Sequence, residues 1–436
     1  MKFSFLTLGC KANQFDTQAM EALVQARGHT LTHEAPDVLV INTCTVTGEA
    51  DRKCRQAIRR ARRQNPDVIL AVCGCMAQSD PEGARALGAD VVGGAGDRKA
   101  FLDAIESCAG HGHGADNAFT EGLSQVIPAH MRGEAFEYLP AGELDGRTRG
   151  LLKVQDGCDN YCSYCIIPYV RGHVRSLPPE DAVREAVRLR DRGVRECVVT
   201  GIEISSYGRD LPDKPDLVTL TAALCEAAAP MRIHLGSLEP RTADERFCET
   251  LKGYVNLCAH FHLSLQSGCD ATLARMRRRY TTAGFLRSAA LLREAFPNCL
   301  LSTDLITGFP GETEEEFAET LAFLERAAFG AVHVFPYSQR RGTPAAAMEQ
   351  VPKAVREERA RRAIAAAART KHAFLESQVG RVLPVLFEDE RDGVWRGHAR
   401  NYVEVHVPCA GDLHNRECPV RIVAAEDDAV TGAAEE

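Results

Sequence analysis

The chain has 436 residues, 45% of them hydrophobic, and a formal net charge of −8. That length accommodates two to four domains with proper cores. The charge excludes a globally basic nucleic-acid binder, though not local basic surfaces. No apolar run is long enough to span a bilayer and no secretory leader pattern is present. A cytoplasmic protein without membrane attachment is expected.

In chain order, Phe3–Leu8, Val38–Ile41 and Val68–Val72 read as strands, alternating with helical patterns at Gln14–Arg27 and Glu49–Gln64. That alternation predicts an open parallel sheet for an N-terminal domain over 1–115. Residues 116–145, rich in Gly, Ala, His and Asp, read as a linker. Residues 146–378 repeat strand and helix six times. The strands are Leu151–Gln155, Glu196–Thr200, Arg232–Leu235, His260–Leu265, Leu300–Ile306 and Ala331–Phe335. Six units fit a partial (β/α)6 barrel better than a full eight-unit one. The long Ala/Arg/Glu helix Lys353–Leu375 closes this region. Residues 379–425 read as a small antiparallel β-barrel, with strands at Arg381–Phe387, Tyr402–Val407 and Val420–Val423. The acidic, alanine-rich tail 426–436 is expected to be disordered. The fold class is thus α/β and multidomain.

The 17 cysteines point to metal or redox chemistry rather than disulfides in such a chain. Cys197, Cys225, Cys248 and Cys299 stand singly and read as small buried hydrophobes. Cys158, Cys162 and Cys165 differ. They form C-x3-C-x2-C directly after the first barrel strand, where barrel enzymes place their chemistry. Three thiolates on a four-iron cluster leave one iron open. A zinc site is the alternative, but closed zinc sites take four ligands. His173 is nearby, and Tyr161 and Tyr164 are placed to shield a cluster.

Small or polar residues follow the other barrel strands: Gly201, Ser237, Glu239, Gln266-Ser267-Gly268, Gly308 to Glu312 and Tyr337-Ser338. Together they suit the close approach of a ligand, although each alone reads equally as a turn.

A second set, Cys10, Cys44 and Cys75, follows three successive strands of the first domain. Loops at strand C-termini converge on one edge of an open sheet, so these thiols are candidates for a second cluster. From spacing alone, buried structural cysteines explain them as well. Cys73 competes for the third position but falls inside its strand, and Cys54 lies on a basic helix with no expected role.

The C-x3-C-x2-C motif resembles that of the radical S-adenosylmethionine superfamily. The whole chain resembles the methylthiotransferases, on Asn42-Thr43-Cys44-Thr45-Val46, His262 to Gly268, Thr303-Asp304 and Gly308–Thr313. That resemblance implies two [4Fe-4S] clusters, on Cys10, Cys44, Cys75 and on Cys158, Cys162, Cys165, and a C-terminal RNA-binding TRAM barrel. It also implies that one S-adenosylmethionine methylates a cluster-borne sulfur, while a second supplies a 5′-deoxyadenosyl radical. Gly201, Ser237, Glu239, Gln266 and Asp304 are candidates for positioning this cofactor or the substrate, and no single acid or base is needed. Leu8 to Gln14, Ile166 to Gly172 and Arg175-Ser176 most resemble the MtaB branch. That branch modifies N6-threonylcarbamoyladenosine (t6A) beside the tRNA anticodon to its 2-methylthio derivative. Ala12, where that branch has Val, is a small departure. The alternatives are the isopentenyladenosine branch, the branch acting on a ribosomal-protein Asp, and a non-catalytic iron–sulfur RNA-binding or redox-sensing protein.

Expected partners are the tRNA anticodon loop and a flavodoxin- or ferredoxin-type electron donor, with the chain a monomer. Three basic clusters are candidates for phosphate contact: Arg52 to Arg63, Arg277-Arg278-Arg279 and Arg356 to Lys371. Each reads alternatively as a solvated face. Trp395 reads as a base-stacking residue or as barrel core.

Overall fold

A computed structural model describes residues 1–110, 125–139, 142 and 148–435. The first domain is a six-stranded parallel sheet of order β2-β1-β3-β4-β5-β6. Its strands are β1 (Lys2–Thr7), β2 (Thr30–Leu31), β3 (Val38–Thr43), β4 (Ile69–Gly74), β5 (Val91–Gly93) and β6 (Gln125–Val126). Both faces are covered, which explains why the strands read as continuous apolar runs. Ile69, Ala71 and Cys73 pack one way, against Met20, Val24 and Phe101. Leu70 and Val72 pack the other way, against Cys54, Ile58 and Ala61.

The region read as a linker differs from that expectation where it is described. Gln125–Val126 adds β6 to the sheet beside β5, and His130 and Leu139 are buried. The Glu137 carboxylate accepts the Arg98 backbone N–H at 2.5 Å. Short apolar anchors among Gly and Ala gave no periodicity to read. The remainder of the predicted linker lies outside the described residues.

The second domain holds all six predicted parallel strands: β7 (Arg149–Lys153), β10 (Glu196–Thr200), β11 (Arg232–Leu235), β12 (His260–His262), β13 (Leu300–Thr307) and β14 (Ala331–Pro336). A short ribbon of β8 (Gln155–Asp156) and β9 (Arg175–Ser176) follows the first. The strands form two triplets, β11-β10-β7 and β12-β13-β14. Parallel bridges Ile233–Leu257 and Leu238–Leu263 join them. β7 and β14 do not pair with each other, so the barrel is open on one side. Helix Lys11–Ala26 of the first domain packs on β7, and helix Lys353–Glu376 packs on β14. Helix Glu314–Ala327 begins with a full capping box from Thr313 and Glu316.

The third domain is a closed five-stranded barrel of order β15-β16-β17-β19-β18. Its strands are β15 (Val382–Arg391), β16 (Val394–Ala399), β17 (Glu404–Pro408), β18 (Glu417–Ala425) and β19 (Val430–Ala434). β19 corrects the expected disordered tail. Val430 is fully buried, and a Cβ on Gly432 would meet Val420 Cγ1 at 2.4 Å. Small residues here allow close strand packing, and their low hydrophobicity disguised the strand. Among the described residues, no helix is long and apolar enough to cross a membrane.

Candidate functional site

Cys158, Cys162 and Cys165 occupy the loop after β8. The Cys158 N–H bonds to the Gly172 carbonyl at 2.9 Å, and the Cys165 N–H to that of Cys162 at 3.0 Å. Gly157 makes the turn possible, because at φ +73° an added Cβ would lie 1.8 Å from the His173 carbonyl oxygen. Gln155 ties the loop to the end of β10. Its Oε1 accepts from the Ile202 and Glu203 N–H groups at 3.0 and 2.8 Å, and its Nε2 donates to the Gly157 carbonyl at 2.6 Å. Burial pushes the Cys158 and Cys165 thiols up to about 12.

Arg278 Nη1 lies 3.3 Å from Cys162 Sγ, with its guanidinium 4.9 Å over the Tyr280 ring. Tyr280 donates to the carbonyls of Ser264 and Leu265 at 2.6 and 2.5 Å. This pair corrects one reading of the basic run: Arg278 is a support of the cysteine loop, while Arg277 and Arg279 are exposed. Tyr164 packs on Phe309, ring centroids 6.5 Å apart. Tyr161 is exposed and stands edge-on to Tyr169 instead of covering the thiols. His173 Nδ1 pairs with Asp159 at 2.5 Å.

In the first domain Cys10 caps helix Lys11–Ala26, Cys44 follows β3 and Cys75 begins the helix after β4. Loops at three neighbouring strand ends thereby meet. The Cys44 thiol is pushed up to about 12 by burial, and feels the charges of Cys75 and Cys10. Asn13 and Asn42 lock the first two loops: Asn13 Nδ2 donates to Asn42 Oδ1 at 2.9 Å and to the Thr43 carbonyl at 3.2 Å. Gly74, at φ +93°, turns Cys75 out of the sheet, where a Cβ would meet the Thr43 carbonyl at 2.4 Å. Cys73 is fully buried in the core face of β4. Cys54 has a role the sequence did not suggest. Its Sγ accepts the Cys44 N–H at 3.3 Å and donates to the Cys44 carbonyl at 3.4 Å.

A buried ion network joins the two sets. Arg171 Nε lies 3.3 Å from Cys75 Sγ, and its Nη1 lies 3.0 Å from Asp156 Oδ2. Lys153 bridges Asp16 and Asp156 at 2.8 and 2.6 Å, and Arg98 adds a contact to Asp16 at 2.8 Å. Burial opposes the charge of Asp16, but Lys153, Arg98 and Arg171 outweigh it and hold its carboxyl at about 2. Burial also opposes the charge of Asp156, which Arg171 and Lys153 hold below the usual carboxylate range. Among the described residues, no three His, Cys, Asp or Glu side chains gather closely enough to share one metal ion.

The barrel lumen is polar. Cys197, Val199, Ile233, Leu235, Phe261 and Leu263 face outward into the helix-covered core. Their alternates therefore face inward. These include Glu196, His234, His260, His262 and Ser302. His234 Nε2 lies 2.7 Å from His260 Nδ1, and Ser302 Oγ lies 2.8 Å from His260 and 3.0 Å from His262. His262 Nε2 is 3.3 Å from Asp304 Oδ2, and its ring stacks on His333 at 5.9 Å. Burial lowers the pKa values of His234 and His260. A packed barrel fills such positions with branched aliphatics; imidazoles and carboxylates suit a lumen that admits a polar ligand.

Of the other predicted positions, Asp304 lies in this lumen. Gln266, at φ +68°, hydrogen-bonds Asp304 and Ile306 through its backbone. Glu239 pairs with Arg241 at 2.9 Å, and its N–H bonds to Ser205 Oγ at 2.9 Å. Gly201 packs 2.8 Å, at its missing Cβ, from the Gln155 carbonyl. Ser237 is exposed.

The third domain plugs the lower end of the lumen. Tyr402 stacks on His260 at 4.9 Å and lies 4.4 Å from the ring of His234, with Arg149 5.0 Å above it. Arg149 pairs with Glu388 at 2.6 Å, and Arg232 with Glu417 at 2.7 Å. His398 and Arg400 pair with Glu388 and Glu417. That charged face is thus a domain interface. Trp395 is barrel core, its Nε1 donating to the Gly411 carbonyl at 2.8 Å.

Most cations in the Arg356 to Lys371 run are structural. Arg359 is buried against Glu312 at 2.9 Å, and Arg362 and Arg369 pair with Glu314 and Glu325. On helix Gly48–Gln64, Arg52 and Arg55 pair with Glu49 and Asp51 of the same helix, and Arg62 pairs with Asp90. Arg59, Arg60 and Arg63 are exposed.

Residues 152–324 match the radical SAM superfamily, and residues 2–94 match the uncharacterized protein family UPF0004. The threonylcarbamoyladenosine tRNA methylthiotransferase MtaB of Bacillus subtilis is 37% identical, over 97% of this chain and 94% of its own length. The tRNA-2-methylthio-N(6)-dimethylallyladenosine synthase of the same organism is 34% identical, over 89% of this chain and 76% of its own. The radical S-adenosylmethionine methyltransferase TsrM of Kitasatospora setae, solved with cobalamin and a [4Fe-4S] cluster, shares the fold. Its TM-score is 0.55 at 15% identity, over 79% of this chain and 77% of that one. The chain belongs to the radical SAM methylthiotransferases of the MtaB type.

Proposed function

We propose that this protein is a tRNA methylthiotransferase that replaces the C2 hydrogen of N6-threonylcarbamoyladenosine with a methylthio group. One observation carries the reading: Arg171 ties Cys75 of the first thiol set to Asp156, two residues before Cys158 of the second, in a chain 37% identical to an MtaB over 97% of its length.

Cys158, Cys162 and Cys165 hold one [4Fe-4S] cluster and Cys10, Cys44 and Cys75 the other. The donor set fits, since three thiolates per cluster leave one iron of each open. A four-iron cluster takes each thiolate at a different iron, a wider arrangement than ligands around one ion. When bound, the first cluster supplies the electron that reductively cleaves S-adenosylmethionine, and the second carries the sulfur to be transferred. The protein's own part is placement. Gly157, Gln155 and Arg278 fix the first loop, and Asn13, Asn42, Gly74 and Cys54 fix the second. The buried Arg171 and Lys153 network ties the two loops to one another.

The substrate is tRNA, presented by its anticodon loop, where an adenine turns out without breaking a duplex. Gly201, Ser237, Glu239, Gln266 and Asp304 line the cofactor and substrate side of the barrel. The protein works in the cytoplasm as a monomer, with a flavodoxin- or ferredoxin-type donor.

Nucleoside analysis of tRNA from a deletion strain tests the substrate. Loss of 2-methylthio-threonylcarbamoyladenosine is expected, and its persistence would refute the assignment. Loss of the 2-methylthio isopentenyl nucleoside instead would favour the second group of relatives. Anaerobic incubation with reductant and S-adenosylmethionine should release 5′-deoxyadenosine; none would indicate a non-catalytic iron–sulfur protein.

A further inference from the structure

The open side of the barrel carries a cation that pairs with no carboxylate among the described residues. Lys11 directly follows Cys10, at the start of the helix that packs on β7. Its ammonium lies within electrostatic range of Arg149 and Glu196 on the near strands, and of His260 and His333 on the far ones. Lys11 thus sits at the open side of the barrel, on the helix that packs against β7. It remains solvent accessible and lines a cavity of about 440 Å³ with Gln14, Gln18, Arg149 and Tyr402.

The other charges around this cavity are ion-paired, Asp389 of its lining with Arg391 at 3.5 Å. Arg149 pairs with Glu196 at 3.2 Å and Glu388 at 2.6 Å. Glu388 also accepts from His398 at 2.7 Å. Among the described residues, no carboxylate pairs with Lys11. The cavity wall therefore offers one uncommitted cation, on the residue that follows Cys10, with Gln14 and Gln18 lining the same wall.

The threonylcarbamoyl substituent carries a carboxylate and a hydroxyl, whereas a dimethylallyl substituent carries neither. A site built to bind a polar group discriminates strongly against an analogue that leaves its own groups unpaired. We propose that Lys11 determines substrate choice by receiving the threonyl carboxylate, with Gln14 and Gln18 lining the same subsite. This rests on the substrate assignment above.

The experiment uses the anaerobically reconstituted full chain and three anticodon stem-loop RNAs. These carry threonylcarbamoyladenosine, its methyl ester, or dimethylallyladenosine. Affinity is read by fluorescence anisotropy, turnover as separate kcat and KM, and cluster loading as iron content. The wild type should bind the acid about ten- to a hundredfold better than the ester, the range of a charge-assisted hydrogen bond. Lys11→Met should lose that preference through KM and affinity, at unchanged iron content and unchanged ester binding. Lys11→Arg should restore most of it. A wild type that does not distinguish acid from ester, or a Lys11→Met variant that still does, overturns the proposal. Turnover of the dimethylallyl RNA alone by the wild type overturns the parent assignment instead, and is recognised without any variant.

Discussion

Arg171 of the barrel domain points its Nε at the Cys75 thiol of the N-terminal domain, 3.3 Å away. Both residues are buried. The same guanidinium holds Asp156, two residues before Cys158. One side chain thus couples the positions of the two cysteine sets.

Replacing it should be costly. Arg171→Gln leaves Asp16 and Asp156 short of a buried cation, and breaking such a network costs about 3–5 kcal/mol. Urea denaturation should show this loss. A change within experimental error would mean that Lys153 and Arg98 suffice.

The ligand assignment is tested by iron analysis after anaerobic reconstitution. Two four-iron clusters predict about eight irons per chain. Cys10→Ala, Cys44→Ala and Cys75→Ala should each lower this to about four. Cys73→Ala should leave it at about eight, because that thiol sits in the strand core. A Cys73 variant with half the iron would reverse the choice between the two.

Acid should loosen the domain junction through Asp16. Its folded pKa, about 2, lies below the unfolded value near 3.9. The stability it contributes is therefore complete above about pH 4, and is lost as the pH falls through about 2. Denaturation midpoints from pH 5 to 2 should fall less steeply for Asp16→Asn than for the wild type, although the variant starts lower. Equal slopes would assign the acid sensitivity to other carboxylates.

Tyr402 should anchor the third domain. It fills the space between His234, His260 and His398 while staying half-buried, so truncating it should cost less than the ~3–5 kcal/mol of a fully buried aromatic. Tyr402→Ala should lower the thermal midpoint by several degrees and expose the segment after Glu376 to protease. An unchanged cleavage pattern would show that the ion pairs alone dock the barrel.

For RNA binding, Arg59→Ala, Arg60→Ala or Arg63→Ala should each weaken tRNA affinity and reduce the salt slope by about one. Arg362→Ala and Arg369→Ala, whose cations are already paired, should leave the slope unchanged. If the second pair alone alters it, the phosphate track runs along the long helix.

Local pattern was enough to determine the six barrel strands, the open parallel sheet and the special spacing of Cys158, Cys162 and Cys165. Periodicity and contiguous motifs are short-range properties, so they survive in a one-dimensional reading. The position of Cys73 inside its strand and of Cys75 just past it was also legible, because a strand residue and the residue after its terminal glycine face different surroundings. Other features were decided only by tertiary contact. The buried network of Asp16, Arg98, Lys153, Asp156 and Arg171 spans residues far apart in sequence, and no spacing rule connects them. Runs of arginine looked alike until the fold placed carboxylates beside Arg359, Arg362 and Arg369 and a thiol beside Arg278. The strand Val430–Ala434 forms because β17 and β18 offer it edges, which its own composition does not announce. Lys11 is the sharpest case: beside Cys10 it is an ordinary surface lysine, and only the packing of its helix on β7 sets it in the wall of a cavity with Arg149 and Tyr402.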